Sequence, residues 1–209
     1  MSTPREAVLL LHGLWMNRLA MFWLGRSLAS DGYATVSLTY RSMRGSLDEH
    51  LAAIARRIES IPADTVHVVG HSLGGVVALR YLQGTQNAKI GRTVLLGSPV
   101  AGSQAARTLA RHTGGRFLLG TCIEVFGSGF TGIDRRFCVG AIAGSREFGL
   151  GVVALRLASP NDGAVAVEET RLPGIADHLV LPVSHSGMLF SSAVARQVAA
   201  FLRRGHFDP

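Results

Sequence analysis

Lysine is almost missing from this chain. Lys89 is the single lysine among 21 basic residues, the rest being arginine. Charge of either kind is sparse, at 17% of 209 residues against 47% hydrophobic, which excludes a disordered, self-repelling chain. The basic excess of +7 would suit nucleic acid or an anionic membrane surface if it were gathered in one place. It is scattered instead, with doublets at Arg56-Arg57, Arg135-Arg136 and Arg203-Arg204, and no segment alternates aromatic and basic residues. This is the pattern of a solvated, arginine-biased surface. No nucleic-acid partner is expected, and at most a weak association with an anionic membrane surface. Nothing in the pattern sets an oligomeric state.

Cysteine is equally scarce. Cys122 and Cys138 lack the spacing of metal ligands, and two free thiols in a cytoplasmic protein are expected, although the even count leaves a bridge open. Long apolar runs are lacking too: none approaches the roughly 18 residues of a membrane span. The first residues, "MSTPREAVLLLHGLW", carry no basic leader and no small-residue cleavage site. Their apolar core therefore reads as a buried strand, not as a signal peptide.

What the chain does contain is an alternation of short apolar runs with helical segments. Strands are expected at 7–13, 34–40, 65–70, 92–98, 137–144 and 178–184. Helices are expected over 16–31, 46–60, 73–83, 103–112 and 191–204. In the second helix Leu47, Leu51, Ile54, Ala55 and Ile58 recur at spacings of three and four. Continuous apolar strands separated by helices predict a mostly parallel sheet of about six strands covered on both faces, a three-layer α/β sandwich. One domain is expected over residues 1–209, with a small, irregular, Gly-rich, cap-like insertion at about 99–136 that arches as a loop over one end of the sheet.

"VHVVGHSLGGVVAL", residues 66–79, contains G-x-S-x-G. With 25 glycines and 17 serines in the chain, the motif alone is weak. Its context is stronger, because "TVHVV" runs directly into it and an apolar helix leaves it at once. A nucleophile elbow needs that strand, a strained one-residue turn with the serine at its apex, and a helix whose N-terminal dipole lies beside the hydroxyl. Glycines two places on either side keep the crossing backbones free of Cβ clashes.

A nucleophilic Ser72 requires partners. The Leu73 N–H supplies one oxyanion donor, and Leu14, after the strand-ending His12-Gly13, the other. His185, just past the last strand, is the candidate base. His178 opens that strand at the opposite edge, His206 is in the tail and His112 is in the irregular region. His71 reads as a packed, hydrogen-bonded neighbour. The orienting acid belongs between strand five and His185, among Glu147, Asp162, Glu168, Glu169 and Asp177. Asp162 is favoured because the turn "SPNDGAV" can hold its carboxylate inward, whereas Glu168-Glu169 read as a solvated pair. Trp15 and Met16 follow the donor loop and are candidate substrate-binding residues. Leu19, Met21, Phe22, Trp23, Phe117, Leu118, Phe126 and Phe130 are further apolar lining candidates.

The order Ser72, Asp162, His185, the "GHSLGG" elbow and the "HG" dipeptide resemble the α/β-hydrolase fold, in particular small bacterial lipases and esterases. "LGSPVAGS" at 96–103 is similar to the "L-G-T-P-H-x-G-S" of such lipases, with Val100 in place of the histidine. "N-D-G-x-V" around Asp162 resembles the acid turn of that branch. The resemblance implies a serine hydrolase that cleaves carboxylic esters, small-molecule or lipid, through an acyl-enzyme and needs no metal or organic cofactor. A thioesterase or acyltransferase would use the same triad, and a non-catalytic ligand binder could share the fold. The two leading antiparallel strands of the full fold are missing. "GSGFTG" (127–132) and "GLGVVA" (149–154) fit dinucleotide-type glycine patterns, but the first leads into a strand instead of a helix and the second lacks a preceding strand.

Overall fold

The computed structural model describes residues 6–112, 114–126, 129–148 and 157–209. Among the described residues six strands form one sheet: β1 (Glu6–Leu11), β2 (Ala34–Leu38), β3 (Thr65–His71), β4 (Ile90–Leu96), β5 (Val139–Gly144) and β6 (Asp177–Leu181). Their order is β2-β1-β3-β4-β5-β6, and every neighbouring pair is parallel. The sheet is thus wholly parallel, the limiting case of the expected architecture. The chain moves one way from β1 to β2 and the other way from β1 to β3. A crevice therefore opens between the carboxyl ends of β1 and β3, where sheets of this kind receive ligands.

The central strands are largely buried because both faces are covered. Along β1, Ala7, Leu9 and Leu11 enter one core while Val8 and Leu10 enter the other, as the two-residue strand period requires. The first core holds Ile54 and Ile58 of α2 (Leu47–Ser60) and Val76, Val77 and Leu79 of α3 (Leu73–Gly84). The second holds Leu24 and Leu28 of α1 (Phe22–Ser30) and Val194, Val198 and Phe201 of the last helix, Ser192–Arg204. Helix starts follow local chemistry. Ser46 and Glu49 form a reciprocal capping box on α2, with bonds of 3.2 and 2.9 Å.

Two expectations need correction. The helix expected from residue 16 starts only at Phe22. A 3-10 turn, Arg18–Met21, precedes it, and the Asn17 side chain caps that turn by accepting from the Leu19 N–H. The insertion beyond β4 is more helical than expected. It holds α4 (Gln104–Arg111), then short α5 (Gly115–Leu119) and α6 (Cys122–Phe126), so the last helix is α7. Glycine-rich spacing hid these one-turn helices, which form by packing over the sheet end and not by periodicity. The glycine segment 149–154 lies outside the described residues, as do 127 and 128 of the other. Both cysteines are free thiols. The buried Cys122 donates to the Ser42 carbonyl, and burial pushes its pKa up to about 11. Among the described residues no helix is long and apolar enough to cross a membrane.

Candidate active site

β3 ends at His71 and α3 begins at Leu73, so Ser72 forms the whole turn between them, at φ 54° and ψ −120°. A positive φ costs a non-glycine residue roughly 1 kcal/mol or more, so the neighbours must impose it. The Ser72 N–H donates to Leu96 O of β4 at 2.8 Å, and its carbonyl accepts from the Gly75 N–H at 3.1 Å. The flanking glycines are sterically necessary. A Cβ on Gly70 would strike the Gly74-Gly75 backbone, and one on Gly74 would strike the carbonyls of Leu11 and His12. The Ser72 hydroxyl does not cap α3; it lines a cleft at the crevice between β1 and β3.

The loop after β1 lies against this turn. A Cβ on Gly13 would come within 3.2 Å of Ser72 Cβ. Leu14, Trp15 and Met16 continue along the cleft wall, and Trp15 adopts φ 59°. Trp15 and Ser72 are the two non-glycine residues with positive φ among those described, and both border the same cleft. Neither the Leu14 nor the Leu73 N–H is taken by a loop, turn or cap carbonyl among the described residues. The loop is anchored from below by Tyr40, whose buried hydroxyl donates to the His12 carbonyl while the two rings stack at 4.4 Å. Burial holds the Tyr40 phenol well above its usual pKa and lowers that of His12.

The structure brings Asp162 and His185 together. His185 Nδ1 lies 2.8 Å from Asp162 Oδ2, and the His185 N–H donates to the Asp162 carbonyl at 2.9 Å. Asp162 is 1% exposed, yet its second oxygen accepts from the Ala164 and Val165 N–H groups at 2.9 and 2.8 Å. The turn therefore satisfies one carboxylate oxygen and leaves the other for the imidazole. His71 is also fully buried. Its Nε2–H donates to the His185 carbonyl at 3.0 Å, and burial together with the neighbouring His185 lowers its pKa to about 3. It is a neutral support for the His185 backbone.

The rejected candidates have other roles. Glu147 accepts from Ser159 and Asn161, Glu168 pairs with Arg171, and Asp177 accepts from the Phe207 N–H. His178 bonds Thr170, while His112 caps the end of α4 and His206 follows α7. Glu169 corrects the reading of a solvated pair. It turns inward and accepts from the N–H groups of Gln104 and Ala166, clasping the start of α4, and burial raises its pKa.

The cleft has a volume of about 280 Å³. Ser72 and His185 both line it, and Ala106 and Leu109 of α4, Leu119 of α5 and Phe126 of α6 add apolar lining. Of the other proposed lining residues, Leu19, Phe22, Trp23 and Phe117 face solvent outside the cleft lining, Phe130 is core under the Arg80 guanidinium, and Met21 is buried in the second core. The Leu118 side chain is outside the described set. Val100 is fully buried, a packing position. Among the described residues no cluster of three or more His, Cys, Asp or Glu could hold a metal.

Sequence reasoning did not single out Gly97, Gly144 or Tyr40. A Cβ on Gly97 would lie 2.9 Å from Asp162 Oδ2 and 3.1 Å from His185 Nδ1, and one on Gly144 would press on Asp162 Cβ. Gly97 sits in the "LGSP" stretch, but only the packed loops show what it makes room for.

The model of the alpha/beta hydrolase family matches residues 8–199. The chain belongs to the alpha/beta hydrolase family. Solved structures agree with this fold. The chain is similar to Bacillus licheniformis lipase BlEst2 in its propeptide form (19% identity, TM-score 0.77, 98% of this chain and 51% of that one). It is also similar to the metagenomic carboxyl esterase MGS0156 (21%, TM-score 0.67, 88% and 65%) and to phospholipase PlaB from Legionella pneumophila (14%, TM-score 0.74, 96% and 59%). It spans about half the length of the first and under two thirds of the other two. No curated protein sequence matches it.

Proposed function

We propose that this alpha/beta hydrolase cleaves carboxylic esters through an acyl-enzyme on Ser72. The observation that carries the reading is the buried Asp162–His185 contact of 2.8 Å at the edge of the apolar cleft that Ser72 also lines. Asp162 bonds Nδ1 and so leaves the His185 Nε2 lone pair for the serine proton. Ser72 Oγ attacks the ester carbonyl carbon, His185 takes its proton, and the oxyanion is held by the Leu14 and Leu73 N–H groups. Collapse expels the alcohol, which takes the proton from His185. Water, deprotonated by the same imidazole, then releases the acid and frees Ser72. The apolar wall of α4–α6, with Trp15 and Met16 opposite, suits the acyl chain.

Wild-type protein should react with a fluorophosphonate probe and hydrolyse p-nitrophenyl esters, with chain length setting the preferred substrate. Ser72→Ala should do neither. Asp162→Asn should remain folded and label slowly, with kcat lower by roughly 10⁴-fold from the wrong imidazole tautomer. An unlabelled wild type would refute the proposal and leave a ligand-binding member of the family.

A further inference from the structure

Exposed apolar side chains from α1 and from the turns beside it lie near the cleft mouth. Trp15, Leu19, Phe22, Trp23 and Phe190 are each more than half exposed, from 52% for Phe22 to 68% for Leu19. Phe22 and Trp23 meet edge to face at 6.1 Å, and Trp23 shares a surface depression with Phe190. Phe190 borders a second depression with His185, while Trp15 lines the cleft with Ser72. Phe22 and Trp23 lie on the outer face of α1, whose Leu24 and Leu28 point into the core, and Trp15 and Phe190 relate this face to the candidate site. Both tryptophans of the chain are in this group. Single exposed apolar residues are ordinary, but several exposed aromatics that share neighbouring surface depressions mark an interaction face.

Charge selects the partner. Residues 14–30 contain Arg18 and Arg26 and no Asp or Glu, and residues 184–204 contain three arginines and no acid. Arg18 and Arg26 are exposed and make no ion pair among the described residues, and the Arg26 guanidinium lies 5.9 Å from the Phe22 ring centre. Asp31, at the end of α1, is paired with Arg203 at 3.5 Å. Exposed aromatic rings beside Arg18 and Arg26, in a stretch of chain without acid, match the boundary between acyl chains and headgroups of an anionic bilayer. Two-fold pairing of a second copy would instead set arginine against arginine.

We infer that the face formed by Trp15, Leu19, Phe22, Trp23 and Phe190 docks on an anionic lipid bilayer and turns the mouth of the Ser72 cleft toward it. Docking depends on surface aromatics and arginines, not on chemistry at Ser72, so it stands or falls apart from the proposed hydrolysis.

The test is co-sedimentation and tryptophan emission with vesicles of equal parts phosphatidylglycerol and phosphatidylcholine, and with phosphatidylcholine alone. Wild type and Ser72→Ala should bind the anionic vesicles alike, with blue-shifted emission, and bind the zwitterionic ones more weakly. Leu19→Gln/Trp23→Gln should lower vesicle affinity at least about tenfold while hydrolysis of a soluble short-chain ester is kept. Arg18→Gln/Arg26→Gln should lose about fivefold per arginine at low salt and little at high salt, and it tests the face even if the apolar variant misfolds. Failure of the wild type to bind anionic vesicles, or unchanged affinity in folded variants, overturns docking. So does a concentration-dependent dimer without vesicle binding, which would assign the face to a second copy. Loss of ester hydrolysis in Ser72→Ala with binding intact separates the two readings.

Discussion

Moving from about pH 7.5 to about pH 5.5 should destabilise this protein through His71, a residue that takes no proton in the proposed mechanism. In the folded chain its pKa is lowered from 6.5 to about 3, first by burial and then by the neighbouring His185 ring. The unfolded chain therefore takes up a proton near pH 6.5 that the folded chain refuses. Stability from this group is complete above pH 6.5 and is lost as pH falls from 6.5 toward 3. Between about pH 7.5 and 5.5 the unfolded state gains a factor of about ten, or about 1.4 kcal/mol from His71 alone. His12, His67 and His178 are also lowered by burial and act with the same sign. The wild type should therefore lose more than His71 accounts for. Urea titrations at the two pH values, on wild type and His71→Gln, isolate the single group. Gln is neutral at both pH values and keeps a donor near the His185 carbonyl. The pH-dependent loss should be smaller in His71→Gln by about 1.4 kcal/mol. Equal losses in the two proteins would refute a buried, neutral His71.

Two further outcomes test the elbow and the cleft. Gly74→Ala places a Cβ against the Leu11 and His12 carbonyls. It should cost about 3 kcal/mol or more, read as a lower urea midpoint or loss of folded protein, because backbone and not a flexible side chain is in the way. Ala106→Leu fills the α4 side of the cleft. It should raise KM for long-chain p-nitrophenyl esters several-fold more than for acetate, and an unchanged chain-length profile would remove α4 from the acyl wall.

The expected and observed elements agree where burial is uniform and periodicity is long. β1 is buried on both sides and appears in the sequence as an unbroken apolar run, β3 and the end of β4 are buried and mostly apolar, and α2 carries its own capping box and a regular stripe. Agreement ends where the chain is stabilised from outside. The start of α1 was displaced by an Asn17-capped 3-10 turn, and α5 and α6 are too short to have a period of their own. Glu169 looked solvated beside Glu168 because adjacent residues give no indication of which one meets the N-terminus of α4.

Much of the candidate site was legible for a local reason. The strand, serine and helix are contiguous in "VHVVGHSLGG", and their glycines report the close crossing of α3 over β1 and β3. The parallel order then limits donors and partners to the loops at the carboxyl edge, where the sequence places Leu14, Asp162 and His185. Tertiary structure alone decided what depends on residues far apart in the chain. These are the 2.8 Å contact between Asp162 and His185 and the bond from His71 to the His185 carbonyl. They are also the space left by Gly97 and Gly144, and the aromatic face beside the cleft. Periodicity records which side of an element is buried against its own sheet. It carries no record of where two loops meet, because that depends on the packing of the whole domain.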